Sequence, residues 1–267
     1  MPNGTDTTNI SGTTCAPCTY APKYFASQVL PDGRVVVIGG EYNTNSSATN
    51  PASGVWTNIG FLFDPTTNGG MGSWSTQLTA PATFTGTNGV GTEGVGDAQS
   101  IVLPNGTMLL ATTSGTDLAS FNSTTLTFTA LNPTNKLDSN DQENWNILPN
   151  GRILTVDSRT VSSFEIYDPV ANSWGVPTDV IGNPIATPVN LADVTSTGGG
   201  SKEVGPAVLR PDGGLIYFSG NFAGQNAVYD TATGNWTHTA QMDFPCLPAG
   251  PGMSAILRRR WACLLVA

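Results

Sequence analysis

Carboxylates stand at one recurring place in this chain. Asp97 lies six residues before Leu103, Glu143 five before Leu148, and Glu203 six before Leu209, and each leucine closes an apolar run. A fourth copy of the pattern has Tyr24 six residues before Leu30. Carboxylates that converge raise one another's pKa and can bind a cation or work as an acid/base pair. The competing reading is that each sits in a solvated loop end or caps a neighbouring backbone. The stretch DSNDQE (138–143) adds spaced Asp, Asn and Glu oxygens that suit a hard cation such as calcium, without the full spacing of an EF-hand loop.

Other chemistries are poorly supplied. The chain has one histidine, His238, and no G-x-S-x-G, so a Ser-His-Asp set has no place to form. Cys15 and Cys18 form a C-x-x-C, but no second pair at zinc-site spacing and no βαβ setting accompany it. In an exported chain such a pair reads as a short-range disulfide, with free thiols as the alternative. Cys246 and Cys263 lie in an irregular tail and support no inference.

The elements that must position these residues are hairpins. Four copies of one phrase, LPDGRVVVIGG (30–40), LPNGTMLLATT (103–113), LPNGRILTVDS (148–158) and RPDGGLIYFSG (210–220), each run from an apolar stretch through a tight turn into another. Gly33, Gly106, Gly151 and Gly213 supply the positive φ of those turns. A second phrase follows each: FLFDPTTNGGMGSW (61–74), ASFNSTTLTF (119–128), EIYDPVANSW (165–174) and AVYDTATGNW (227–236). From turn glycine to the Asp or Asn of the second phrase the spacing is 31, 16, 17 and 17 residues, so the first copy carries an insertion. The closing aromatic follows after ten residues in the first copy (Trp74) and six in the others (Phe128, Trp174, Trp236).

Four short strands repeated four times predict an all-β propeller, because one such sheet cannot bury both of its faces alone. The recurring Tyr167, Trp174, Tyr229 and Trp236 are then expected to pack blade to blade. The paired phrases resemble kelch repeats over roughly residues 20–240, and are similar to the central propeller of the galactose oxidase and glyoxal oxidase group. The resemblance implies a kelch-type β-propeller of about four four-stranded blades plus part of a fifth. Residues 1–20 form an irregular lead, 21–250 the repeats (blades near 21–80, 94–131, 139–177 and 202–240), and 251–267 a partial or aberrant last blade.

The resemblance further implies that the strand before each Pro-Asp/Asn-Gly turn is innermost, so that Tyr24, Asp97, Glu143 and Glu203 ring one mouth of the central channel. It also raises copper-radical oxidation, which needs two histidine ligands and a cysteine-linked tyrosine. With His238 alone, that site cannot be assembled from this chain. The expectation is a non-catalytic binding or scaffold module that recognises a protein or glycan through channel-mouth loops. The alternative is a truncated homologue of a carbohydrate- or alcohol-oxidising enzyme. The insertion EYNTNSSATNPASGVWTN (41–58) offers Tyr42 and Trp56 as contact residues.

Composition bounds the setting. There are 31 Gly and 19 Pro, 11% charged residues and a formal charge of −9, which argues for a turn-dense β chain and against nucleic-acid binding. Few lysines, abundant Thr and Asn, and N-x-S/T sequons at Asn3, Asn9, Asn45, Asn105, Asn122 and Asn235 point to an extracellular, periplasmic or cell-surface location. The opening MPNGTDTTNIS has neither the basic nor the apolar region of a secretory signal, and no apolar run of about 20 residues spans a membrane. GMSAILRRRWACLLVA (252–267) has the rhythm of another first hairpin, with arginines where the turn would be. A fragment with open blade edges, prone to self-association, is the expectation.

Overall fold

The structure is a computed structural model that describes residues 3–4, 18–20, 22–40, 57–81, 83–84, 94–113, 115–160, 162–189, 191, 204–219 and 225–240. Cys15, Tyr42, Trp56, Glu203 and the proposed last blade at 251–267 lie outside these residues, and of Cys18 only the backbone is described.

The fold is all-β, with one 3-10 turn at Asn68–Gly70. A two-residue pair, β1 (Asn3–Gly4) with β2 (Cys18–Thr19), precedes the repeats. The first blade is β3 (Ala26–Val29), β4 (Val35–Ile38), β5 (Ile59–Asp64) and β6 (Ser73–Trp74), with β7 (Leu78–Thr79) also pairing β5. The second is β8 (Ser100–Val102), β9 (Met108–Ala111), β10 (Leu118–Asn122) and β11 (Thr127–Leu131). The third is β12 (Asn146–Ile147), β13 (Ile153–Val156), β14 (Phe164–Asp168) and β15 (Ser173–Gly175). The fourth is β16 (Ala207–Leu209), β17 (Leu215–Ser219), β18 (Asn226–Asp230) and β19 (Trp236–His238). Each is a four-stranded antiparallel meander, and the four are the blades of a β-propeller.

Local chemistry explains the repeat. In the first turn Gly33 has φ +85°, its N–H donates to Leu30 O, and Leu30 N–H donates to Arg34 O. The Asp32 carboxylate accepts from Arg34 N–H and pins the turn from the side. Asn105, Asn150 and Asp212 do the same for Thr107, Arg152 and Gly214. The second phrase is equally specific. Its closing aromatic is the cross-strand partner of the residue before the Asp or Asn: Phe63 with Trp74, Phe121 with Phe128, Tyr167 with Trp174, and Tyr229 with Trp236. Their ring centroids lie 4.7–5.1 Å apart with the planes tilted, a cross-strand contact that stabilises the pair.

The chain divides into two compact units: residues 1–155 with 165–176, and residues 156–164 with 177–267. In the first unit, Ala26, Leu30, Val36 and Ile38 of the first blade pack with Met108, Leu110, Ala119 and Phe121 of the second. Leu103, Leu109, Ala111 and Leu118 of the second blade pack in turn with Trp145, Ile153, Tyr167 and Trp174. So Tyr167 and Trp174 pair within their blade and also join the core shared with the blade before. In the second unit Phe164 stacks edge-on against Tyr229 and Trp236, and Phe218 lies 5.1 Å from Trp236.

Among the described residues no helix is long and apolar enough to cross a membrane.

Candidate functional site

The first strands of the first two blades run in the same direction, which decides where the candidate residues meet. Gln28 Nε2 on β3 donates to Ser100 O on β8 (2.7 Å) and to its Oγ (3.2 Å). Further along, Pro31 lies against the turn at Gly106. The leading ends therefore coincide, and Tyr24, four residues before Gln28, lies at the same end as Asp97, three before Ser100. Tyr24 is 37% exposed and holds a left-handed backbone at φ +52°. Asp97 is half-buried, and its Oδ2 accepts from Gln142 Nε2 at 3.2 Å. Gln142 is half-buried as well, also left-handed at φ +55°, and immediately precedes Glu143. Three of the four residues expected at a channel mouth are thus drawn toward one end of the first unit; Glu203 lies outside the described residues.

Glu143 differs from the others in what it touches. It is buried (2% exposed) and turned inward to Lys136, whose Nζ lies 2.7 Å from its Oε1. The same ammonium reaches Glu165 Oε2 at 2.6 Å and Asp138 Oδ1 at 3.0 Å, so all three of its N–H donors meet a carboxylate. The side chains of Lys136, Glu143 and Glu165 are fully buried. The second oxygens are engaged too: Glu143 Oε2 accepts from Thr155 Oγ1 (3.1 Å) and Trp145 Nε1 (3.3 Å), and Glu165 Oε1 from Leu137 N–H (2.8 Å). The Trp174 ring lies under the ammonium, 4.9 Å from its centroid, a cation–π contact strengthened by exclusion of water.

Oxygens of Asp138, Glu143 and Glu165 come within 4.8 Å of one another, a spacing a metal ion could bridge. Their shared neighbour is the Lys136 ammonium, a cation supplied by the chain itself. What the cluster does chemically is to fix residues 136–143, the loop joining the second blade to the third. Asn140, fully buried, adds to this, donating from Nδ2 to Gly115 O at 3.0 Å while its N–H meets the same carbonyl. Gln142, the partner of Asp97, is carried on a loop clamped at both of its ends.

Sequence reasoning singled out Glu143 and the 138–143 stretch but missed Lys136 and Glu165. A signal for Glu165 existed. It occupies, one residue into β14, the place held by Phe61 in β5, Ala119 in β10 and Ala227 in β18, and all four are buried. A carboxylate at an interior position of a repeat announces a buried partner.

No protein-family model matches the chain, and no curated protein does. Among solved structures it is similar to selenomethionine-substituted virginiamycin B lyase from Staphylococcus aureus, at 12% identity and TM-score 0.46 over 83% of this chain and 56% of that one. A catalytically inactive form of that lyase with quinupristin gives 13% identity and TM-score 0.48, over 89% and 59%. Kuenenia stuttgartiensis hydrazine synthase gives 13% and 0.46, over 87% and 53%. The chain thus spans between 53% and 59% of the length of those chains. Likenesses at such identities and scores say nothing of activity.

Proposed function

We propose that the chain is a kelch-type propeller module that works by binding, outside the cytoplasm, and recognises a protein or glycan through the loops at the leading ends of its inner strands. The observation that supports this reading is the half-exposed Asp97–Gln142 pair, set at the same strand end as the exposed Tyr24. A carboxylate, a primary amide and a phenol at one strand end supply the acceptors, donors and flat apolar surface with which hydroxyl-rich or polar ligands are held. Residues clamped by a buried cluster lose little freedom when a ligand arrives, which favours recognition by a rigid surface.

Glu143 belongs to the support rather than to the contact surface, since its oxygens serve Lys136, Thr155 and Trp145. The reading is tested by screening the whole chain against immobilised glycans and peptides, then repeating each hit with Asp97→Ala and Gln142→Ala. Loss of binding at unchanged melting temperature is expected. Binding that survives both substitutions would overturn the assignment to this strand end.

A further inference from the structure

We propose that Asn105 and Asn122 are acceptor sites for N-linked glycans, both at the end of the second blade opposite Asp97. The proposal rests on the extracytoplasmic location in the functional reading above, but not on any ligand. Two sequons, Asn105-Gly106-Thr107 and Asn122-Ser123-Thr124, fall on the β8–β9 and β10–β11 turns of this blade. β8 leaves Asp97 behind and runs into the turn at Asn105; β9 returns, and β10 runs forward again to end on Asn122. Both asparagines therefore sit at the far end, and both are exposed.

Their local geometry is the same. Asn105 Oδ1 accepts from Thr107 N–H at 2.9 Å, and Asn122 Oδ1 accepts from Thr124 N–H at 2.9 Å and Thr125 N–H at 3.0 Å. In each case the sequon closes on itself: the amide oxygen is tied to the backbone of the very Thr that completes the motif. The amide nitrogen, which would carry the sugar, takes no part in these turn hydrogen bonds. A third sequon, Asn235-Trp236-Thr237, is built differently. Its Trp236 packs against Phe218 and Tyr229, and Thr237 is paired with Val228 inside β19. That motif is committed to the sheet.

The modification joins Asn Nδ2 to the anomeric carbon of an oligosaccharide held on a lipid pyrophosphate. The new C–N bond replaces the sugar–phosphate C–O bond, the lipid pyrophosphate leaves with that electron pair, and Nδ2 gives up a proton. Glycans placed here would cover the turn end of the blade and leave the Tyr24–Asp97–Gln142 end clear.

The test is to express the full chain behind a cleavable secretory leader in a eukaryotic host and to measure mass before and after endoglycosidase treatment, with site mapping by peptide mass spectrometry. Asn105 and Asn122 are expected to be occupied, whatever the sequons at Asn3, Asn9 and Asn45 carry, and each is lost singly in Thr107→Ala and Thr124→Ala. These substitutions remove the sequon but keep the backbone donor of the turn, so folding is preserved; Asn105→Gln and Asn122→Gln give the second readout. A secreted chain with no glycan on Asn105 and Asn122, whatever its other sequons carry, would overturn the proposal. Because the readout needs no ligand, its failure is separable from failure of the Asp97 surface to bind.

Discussion

Glu165 Oε2 lies 2.6 Å from Lys136 Nζ with both side chains fully buried, although the two are 29 positions apart in sequence. The pair ties β14 to the loop that leads into β12. Three carboxylates around one ammonium carry a formal excess of negative charge, tolerable only because the amine and nearby donors satisfy the oxygens. Lys136→Met is therefore expected to lower unfolding free energy by ~3–5 kcal/mol, the usual cost of stranding buried charge. Combining it with Glu165→Leu should cost less than the sum of the two single changes, because the double variant removes one of the stranded carboxylates. Urea denaturation of the four proteins measures this. Strict additivity would mean the two residues do not act as a pair.

Asp97 and Glu143 separate contact from support. They lie one position apart in the repeat, yet Asp97 is half-buried beside Gln142 while Glu143 is enclosed with Lys136, Thr155 and Trp145. Asp97→Ala should leave stability within about 0.5 kcal/mol of the parent, as surface changes do. Glu143→Ala should cost several-fold more, about 3 kcal/mol or above, since it leaves Lys136 and two other donors short of an acceptor. Equal effects on melting would place both residues in one class and remove the distinction on which the recognition surface depends.

The repeat was legible in the sequence because its period is written in residues with few alternatives: glycine at a left-handed turn, Asp or Asn pinning that turn, and an aromatic opposite an aromatic. Gly33, Gly106, Gly151 and Gly213 all take positive φ, and the four closing aromatics all find the predicted strand. The site was only half legible. Counting back from Leu103 and Leu148 found Asp97 and Glu143, but a count along the chain cannot tell a half-exposed side chain from a buried one. Lys136 could not be found that way, because it lies between repeats; it is one of only three lysines, and its role depends on contacts with β14.

The tyrosines predict an alkaline limit. Burial pushes the Tyr167 phenol up to about 12, with the Asp168 charge adding to the effect, and burial likewise raises Tyr20 and Tyr229. Above the ordinary value of 10.0 an unfolded tyrosine gives up its proton while the folded one keeps it, so the unfolded state binds fewer protons and stability falls as pH rises. Between pH about 10 and 12 the melting temperature should drop steadily. Ultraviolet titration should show these three phenols ionising only as the chain unfolds. Six tyrosines titrating together near 10 with the fold intact would contradict their burial.

Two turn glycines with nearly the same backbone should respond differently to a side chain. Gly151 and Gly106 take φ +82° and +86°, so either pays roughly 1–2 kcal/mol when a Cβ is forced into the left-handed region. A Cβ on Gly151 meets nothing within 4 Å, whereas one on Gly106 comes 3.0 Å from Pro31 Cγ in the neighbouring blade's turn. Gly151→Ala should show the backbone cost alone, and Gly106→Ala that cost plus the displacement of Pro31. Replacing Pro31 with Ala in the Gly106→Ala background should recover part of the difference, and should do nothing for Gly151→Ala. Chemical denaturation of these variants tests whether the first and second blades touch through their turns; identical costs at the two glycines, unaffected by Pro31, would show that they do not.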